Sequence, residues 1–305
     1  MKISNLILSA SLFLMLACSA SKPLLLEVNM AKNKEFTIES NTNTVVDVTV
    51  MGQQQKTLST QSVETQYKVM DVMPNGDVAV KSTIMSMKDT NDSAQGSTTF
   101  DSKNLEGSDA TMVELMQPLI GHEMSMVIDK TGEIKSFEQE DVLEKMFADA
   151  DEAMMMAKAS LEGQFGEDAM KNKMLSLGNV LPNKSIKKGD TWTKEKKIKS
   201  AMVLLSNYTY TLNERKDGKA FISVVGTTKT DPTAGPVEMM GMEMSYLLSG
   251  PVKGILVVDE KTGWVIQSDV EQVLKGTMKI KNEMIGEMDA QMDMSTTTTT
   301  ATKNF

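Results

Sequence analysis

The two halves of the chain carry the same series of β-type segments, and this duplication constrains the fold more than any other feature. In each half a lysine-containing turn enters a strand near an aromatic residue, Phe36 in the first half and Trp192 in the second. A hairpin and a strand that closes on an Asp and Thr-Gly turn follow. The matched segments are 32–37, 67–87 and 119–132 in the first half and 188–193, 208–228 and 248–263 in the second. Landmarks in the same order predict two homologous β-rich units.

Strands are predicted from alternation and from turn residues. Around Val78 and Val80, β-branched and polar residues alternate, which is typical of a strand with one buried face. Asn75-Gly76 and Asp217-Gly218 are hairpin dipeptides, because both residue types tolerate positive φ. Hairpins join neighbouring strands and no βαβ series appears, so we expect antiparallel sheets. The predicted fold class is mostly β (α+β), with two curved antiparallel sheet units and a linking amphipathic helix.

The linking helix is predicted between Gln139 and Gly163, where apolar residues recur at spacings of three and four. Its apolar stripe, which we expect to pack on a sheet, comprises Val142, Met146, Ala150, Ala153, Ala157 and Leu161. Near the C-terminus, a threonine run at 296–300 favours a last strand over a disordered tail.

The N-terminus carries an export signal that ends at Cys18, the only cysteine. An apolar run from Ile3 to Ala17 precedes it, and Leu14 to Cys18 is typical of a lipobox, whose cysteine is acylated on sulfur and becomes the new N-terminus. Two alternatives are a secretory peptide cut after Ala20 and a retained helix, for which the apolar run falls short of the ~20 residues that span a bilayer. The predicted organisation is a signal peptide (1–17), an acylated N-terminus and tether (18–23), a β-rich repeat (24–137), a helical linker (138–180) and a second repeat (181–305).

These landmarks resemble a group of uncharacterised Gram-negative lipoproteins, often of Bacteroidota type, that are grouped under a domain of unknown function. The resemblance rests on the lipobox, the two β-rich halves, the linking helix and the segment from Leu181 to Trp192. It covers nearly the whole mature chain and implies no activity. A looser likeness to half-barrel lipoprotein carriers, which wrap a curved sheet around a helix, implies only a fold.

Catalytic signatures are missing from the sequence. With His122 as the only histidine, a zinc site of the His-rich kind is excluded, and we expect this residue at the surface or at a sheet edge. No nucleophile elbow, phosphate-binding loop or dinucleotide fingerprint occurs. Asp129 and Asp259 each precede a Thr-Gly turn, where an aspartate is expected to bond to its own backbone. We therefore predict no enzyme, no catalytic residue, no metal site among these groups and no cofactor.

Charge and cysteine usage limit the partners. The net charge is −9, and removal of the signal would take only Lys2 among the charged residues, which makes the mature chain more acidic still. An acidic chain with no basic cluster is a poor partner for nucleic acid or for anionic lipid headgroups. If Cys18 is acylated, no disulfide can form within the chain. The predicted partners are a membrane, through the lipid anchor, and an apolar small molecule.

Methionine is unusually abundant, with 28 residues, and it recurs two apart in strand-like segments, a spacing that places both side chains on one face. Three interpretations stay open: plain core filling, a plastic interior for an irregular apolar ligand, and a copper(I) site built from thioethers. The pairs are Met85 with Met87, Met124 with Met126, and Met292 with Met294, and the best candidate ligand-binding set is Met240, Met242 and Met244.

The sequence as a whole predicts a lipid-anchored protein of the cell envelope that faces the periplasm and acts as a non-enzymatic binding or structural module. Ser19, directly after the cysteine, favours the outer membrane by the enterobacterial sorting rule. A Met-rich copper(I)-binding envelope protein is the alternative.

Overall fold

A computed structural model gives the fold. It describes residues 22–139, 143–144, 147, 158, 161–163, 165–171, 180–199, 202–239, 242–282 and 286–305. The first half contains β1 (Glu35–Val50), β2 (Gln53–Val72), β3 (Val78–Ser93), β4 (Gly96–Asp101), α1 (Ala110–Met116), β5 (Glu123–Ile128) and β6 (Ile134–Gln139), with 3₁₀ turns at Leu105–Gly107 and Gln117–Leu119. The second half contains β7 (Thr191–Lys199), β8 (Val203–Lys216), β9 (Lys219–Thr230), β10 (Val237–Met239), β11 (Met242–Asp259), β12 (Val265–Asn282) and β13 (Gly286–Lys303).

The strands form one open antiparallel sheet, which confirms the predicted mostly β, antiparallel class. The order is β6-β5-β3-β2-β1-β13-β12-β11-β9-β8-β7, with β4 added to β3 and β10 to β11. The strands of the two halves join in this sheet because β13 pairs with β1 on one side and with β12 on the other. Among the described residues, no helix combines the length and the apolar composition needed to cross a membrane.

The predicted turns and the predicted last strand are confirmed. Gly76, Asp217 and Gly218 all have positive φ, and they connect β2 to β3 and β8 to β9. The threonine run lies inside β13, where Thr298 pairs with Thr42 of β1. A β-branched residue suits this position because its side chain packs well on a pleated surface.

The main core covers one end of one face of the sheet. We call this face the inner face; on β1 it carries Phe36 and Ile38. We call the end that holds the β2–β3, β5–β6, β8–β9 and β11–β12 turns the core end, and the opposite end the far end. At the core end Phe36 stacks on Tyr67, with ring centroids 5.3 Å apart, and meets the edges of Trp264 and Phe305. The core cluster contains residues of both edge strands, such as Phe137 and Trp192, so the sheet wraps around it.

An extended N-terminal segment, residues 22–31, closes the core end. Its apolar side chains alternate with exposed ones, and the buried members are Leu24, Leu26, Val28 and Met30. Leu24 pairs with Ile186 through two backbone hydrogen bonds of 2.8 Å. Residues 24–31 are predicted to belong to the first repeat, but they contact turns of both halves.

Four glycines on the inner face let neighbouring strands approach closely. A Cβ on Gly250 would lie 1.9 Å from the Val273 carbonyl oxygen, and a Cβ on Gly276 would lie 2.0 Å from the Leu247 carbonyl oxygen. Gly226 and Gly254 have similarly short approaches. Glycine inside a strand is typical of a bend or of close backbone contact, so these residues favour a curved sheet in the second half.

Most of the predicted linking helix lies outside the described residues. Of its apolar stripe, Leu161 is described, and it is buried in the core. Residues 138 and 139, which the prediction assigns to the helical linker, belong instead to β6, because they pair with Ser125 and Met124 of β5. The short helix α1 was not predicted; Asp109 caps it by accepting hydrogen bonds from the backbone N–H groups of Thr111 and Met112.

Candidate functional site

In both Asp and Thr-Gly turns the aspartate bonds to its own turn, as the sequence predicts, although the second turn is one residue longer. The Asp129 carboxylate accepts hydrogen bonds from the Thr131 N–H (2.8 Å) and hydroxyl (2.6 Å). The Asp259 carboxylate accepts the corresponding bonds from Thr262, at 2.8 and 2.7 Å. Both aspartates are therefore structural.

Both turns also hold the N-terminal segment. The backbone N–H of Val28 donates to the Lys130 carbonyl (2.8 Å), and that of Asn29 donates to the Thr262 carbonyl (2.9 Å). These turns thus connect the N-terminus to both halves of the sheet.

Asp129 provides a test of this arrangement. Burial alone would raise the pKa of its carboxyl, but the Lys135 ammonium at 2.8 Å, the Thr131 hydroxyl and two backbone N–H groups lower it to about 2. A lowered pKa stabilises the folded state above the unfolded value of about 3.9, and this stability is lost as the pH falls through about 2. After allowance for solvent screening, we expect Asp129→Asn to cost on the order of 1 kcal/mol at pH 7 and only a small part of that at pH 2, where about half of the Asp129 carboxyls in the folded protein are protonated.

The measurement is urea unfolding of both proteins across this pH range. Glu133→Gln is the matched control, because Glu133 lies 3.9 Å from the same lysine and is half exposed. A cost for Asp129→Asn that does not change between pH 7 and pH 2 would contradict the assignment.

The far end of the inner face carries a second apolar surface. Two clusters of buried residues, centred on Leu274 and Met278, share the partly buried neighbours Val48 and Tyr246 and are therefore continuous. We call this set the far apolar surface. Its partly accessible members are Val46, Val48, Val50, Ile198, Met202, Tyr246, Ile280 and Met294.

A band of hydroxyl groups lies between the main core and the far apolar surface. Thr42 and Thr298 share a hydrogen bond of 3.2 Å across β1 and β13, and Thr44 and Thr296 share one of 3.3 Å. On β8 and β9, Ser206 and Thr228 are buried and 2.8 Å apart. Each hydroxyl of a pair has the other as its hydrogen-bond partner, so this polar band does not require a charged group.

Two lysines of the edge strand β7 lie on the inner face. On this face Lys194 and Lys196 lie between Trp192 and Ile198, and they pair across the strands with Tyr208 and Ser206. The Lys196 ammonium lies 5.7 Å from the centroid of the Tyr208 ring. Burial and repulsion from Lys194 lower the pKa of Lys196 to about 8. This lysine pair is not among the sites predicted from the sequence, although alternation from Trp192 places both lysines on the face of that residue.

The methionine predictions have mixed outcomes. Met124 and Met126 are both buried on one face, as predicted. Met85 and Met87 are not: Met87 is buried and Met85 is half exposed, because a β-bulge opposite Glu64 and Thr65 leaves Met85 out of register.

The candidate ligand-binding methionines are only partly described. Met240 and the lipidation candidate Cys18 lie outside the described residues. Met242 is partly buried and Met244 is buried. The Met244 sulfur accepts a hydrogen bond from the Tyr246 hydroxyl (3.6 Å) and shares a cluster with Met278.

His122 is neither at the surface nor at an edge, so that prediction is wrong. It is buried because it precedes β5, where alternation places it on the same face as Met124, and β5 lies between β3 and β6. Within the described parts of the chain, no three His, Cys, Asp or Glu side chains are placed to hold a metal ion.

A family model described as a family of unknown function (DUF6263) matches residues 75–265. The chain belongs to this family. The match runs from the β2–β3 turn to the start of β12, so the family region includes the strand that carries the lysine pair. No curated protein matches the sequence.

Among solved structures, a chain described under "lipid-protein interactions in lipovitellin" has a TM-score of 0.51 at 8% identity, covering 90% of this chain and 25% of that chain. The chain thus spans about a quarter of that protein's length, and the likeness concerns the fold alone. DynF from the dynemicin biosynthesis pathway of Micromonospora chersina has a TM-score of 0.21 at 7% identity, covering 92% and 86% of the two chains. An outer membrane channel of Pseudomonas putida F1 has a TM-score of 0.26 at 4% identity, covering 90% and 97%. Scores as low as the last two do not indicate a shared fold.

Proposed function

We propose that this chain is a non-enzymatic binding module that holds a lipid-like apolar ligand on the inner face of its sheet. The observation that carries the proposal is the far apolar surface, whose side chains remain partly accessible although they adjoin buried clusters. From β8 to β1 this surface crosses five strand spacings, about 24 Å, which suits an extended acyl chain. The fold likeness to lipovitellin, a protein described by its lipid interactions, agrees with this proposal.

The side chains of this surface suit an irregular ligand. Met244, Met278 and Met292 lie in its clusters, and methionine is flexible and polarizable, so it adapts to different apolar shapes. Contiguous apolar area that stays accessible is typical of a binding site in a soluble domain. The outer face differs, since ion pairs such as Lys275 with Asp293 (2.7 Å) cover the same strands there.

We further propose that acylated Cys18 attaches the module to an envelope membrane, facing the periplasm. Lys22 begins the described chain, and its carbonyl accepts a hydrogen bond from Arg215 (2.6 Å) at the core end. Cys18 and Lys22 are four Cα–Cα steps apart in the sequence, so the anchor would hold the core end within about 14 Å of the bilayer surface. The far end is at the opposite end of these strands and would point away from the membrane.

Two homologous units are also part of the proposal. Strands β1, β2, β3, β5 and β6 follow one another across the sheet as β7, β8, β9, β11 and β12 do. Phe36 stacks on its cross-strand neighbour Tyr67, and Trp192 stacks on Tyr210. A duplication followed by the addition of β13 would produce this arrangement.

The test uses fractionation followed by native mass spectrometry. We expect the wild-type protein in the membrane fraction and the Cys18→Ser protein, secreted behind a cleavable signal, in the soluble fraction. Purified without detergent, the soluble protein should carry added mass that matches a lipid.

A matched pair of substitutions locates the ligand. Val48→Asp places a charge on the far apolar surface and should abolish the added mass, whereas Leu247→Asp, on the exposed outer face, should retain it. A bare polypeptide mass for the unsubstituted soluble protein would overturn the lipid proposal, and a copper mass would favour the methionine alternative.

A further inference from the structure

We infer that Lys194 and Lys196 form a head-group site for an anionic amphiphile, an acyl chain that ends in a carboxylate or a phosphate. The inference rests on the proposed function, because it assigns the polar end of the ligand whose chain would lie on the far apolar surface. It adds a charge preference that the acidic composition of the chain does not predict.

The position of the lysines supports this assignment. Along β7, Lys196 is followed on the same face by Ile198, which belongs to the far apolar surface and pairs with Leu204. In the other direction, Lys194 is followed by Trp192, which belongs to the main core. The pair therefore stands at one end of the far apolar surface, as the head group of a bound amphiphile requires.

The chemistry around the pair suits an anion. Lys194 and Lys196 are both partly accessible and two residues apart on one face, so their charges repel each other. Tyr208 lies beside both lysines, and its hydroxyl is a further potential donor. A carboxylate or phosphate would relieve the repulsion and accept charge-assisted hydrogen bonds, which are the stronger kind.

The next lysine of the strand lies on the opposite face. Lys197 points to the outer face and forms an ion pair of 2.8 Å with the buried Asp231 carboxylate. Lysines of the neighbouring outer face also pair with carboxylates, as Lys253 does with Glu271 at 2.9 Å. These outer-face lysines therefore have carboxylate partners of their own.

Protection of the sheet edge is the competing explanation. Strand β7 is an edge strand, and inward-pointing charges prevent such strands from pairing with other chains. That role requires no ligand and predicts no preference for an anionic head group, so binding measurements separate the two.

The experiment compares oleate, oleoyl phosphate and oleyl alcohol by calorimetric titration into the delipidated Cys18→Ser protein. We expect both anions to bind about tenfold or more tightly than the alcohol. A tenfold difference in affinity corresponds to the lower limit of what a charge-assisted hydrogen bond contributes. The tighter of the two anions then identifies the head group as a carboxylate or a phosphate. In Lys194→Met/Lys196→Met the preference should disappear while the affinity for oleyl alcohol remains.

The control removes the same charge from the outer face. Lys253→Met/Lys275→Met should keep the preference, because both residues are exposed and pair with exposed carboxylates. Thermal unfolding verifies that each variant is folded. Equal affinity of the unsubstituted protein for all three ligands, or a preference that survives in Lys194→Met/Lys196→Met, would overturn the head-group site but leave the proposed function standing. Failure to bind any of the three would instead overturn the proposed function.

Discussion

Replacing Phe36 with alanine is expected to lower the free energy of unfolding by about 3–5 kcal/mol, the usual cost of deleting a buried aromatic ring. The Phe36 side chain is 2% exposed, and it contacts Tyr67, Trp264 and Phe305, each with ring centroids 5.3 Å away. These partners come from β2, from the residue before β12 and from the C-terminus. The cavity would therefore open where the first strand meets the last part of the chain, and a β-sheet backbone cannot easily collapse into it.

Urea unfolding followed by tryptophan fluorescence measures this effect, since Trp264 lies in the same cluster. Met51→Ala is the control, because Met51 is 83% exposed in the β1–β2 turn and its truncation should change stability by no more than about 0.5 kcal/mol. A loss below about 1 kcal/mol for Phe36→Ala would mean that this cluster is not a principal part of the core.

Gly263→Ala is expected to release the N-terminal segment. Gly263 has a φ of +66°, which costs an alanine roughly 1–2 kcal/mol, and a Cβ there would lie 2.2 Å from the Glu27 carbonyl oxygen. Backbone cannot yield as a flexible side chain does, so the segment must move away from the turn. We expect a total loss of about 2–4 kcal/mol, as buried side chains of the segment such as Leu26 lose their packing.

Gly218→Ala separates the two causes. Gly218 has a similar φ of +72°, but no atom lies within 4 Å of the position that the alanine methyl would occupy, so only the backbone cost applies. Trypsin should cleave Gly263→Ala near Lys32 faster than it cleaves Gly218→Ala, because the segment before Lys32 would be displaced. Equal unfolding free energies and equal cleavage rates for the two variants would show that the contact with the N-terminal segment adds nothing to the cost of Gly263→Ala.

Several sequence predictions are correct because they depend on neighbours in the chain. Asn75-Gly76 and Asp217-Gly218 form hairpins since these residues accept positive φ wherever they stand. Asp129 and Asp259 bond within their own turns, a geometry that spans only a few residues. In contrast, the prediction for Met85 and Met87 failed because a single bulged residue reverses the face of everything after it, and alternation alone does not reveal a bulge.

In the candidate site, too, some features follow from local sequence and others depend on packing. Alternation along β7 was sufficient to place Lys194 and Lys196 on the face of Trp192, but charged residues on a strand are ordinarily assigned to solvent. His122 was misassigned for a related reason: a polar residue beside a glycine indicates a surface position, and only packing against the neighbouring strands buries it. The positions of the lysine pair and of His122 both depend on which face of their strand packs against other parts of the protein.

Local patterns in the chain were enough to predict the strand content, the hairpins, the aspartate turns and the membership of the threonine run in a last strand. These features follow from backbone preferences of neighbouring residues and from the period of two along a strand. Long-range packing was needed to establish that β13 joins both halves into one sheet, that residues 22–31 cross turns of both halves, and that two lysines adjoin an apolar surface. Such contacts link residues far apart in the chain, and alternation shows which side chains share a face but not what that face will meet.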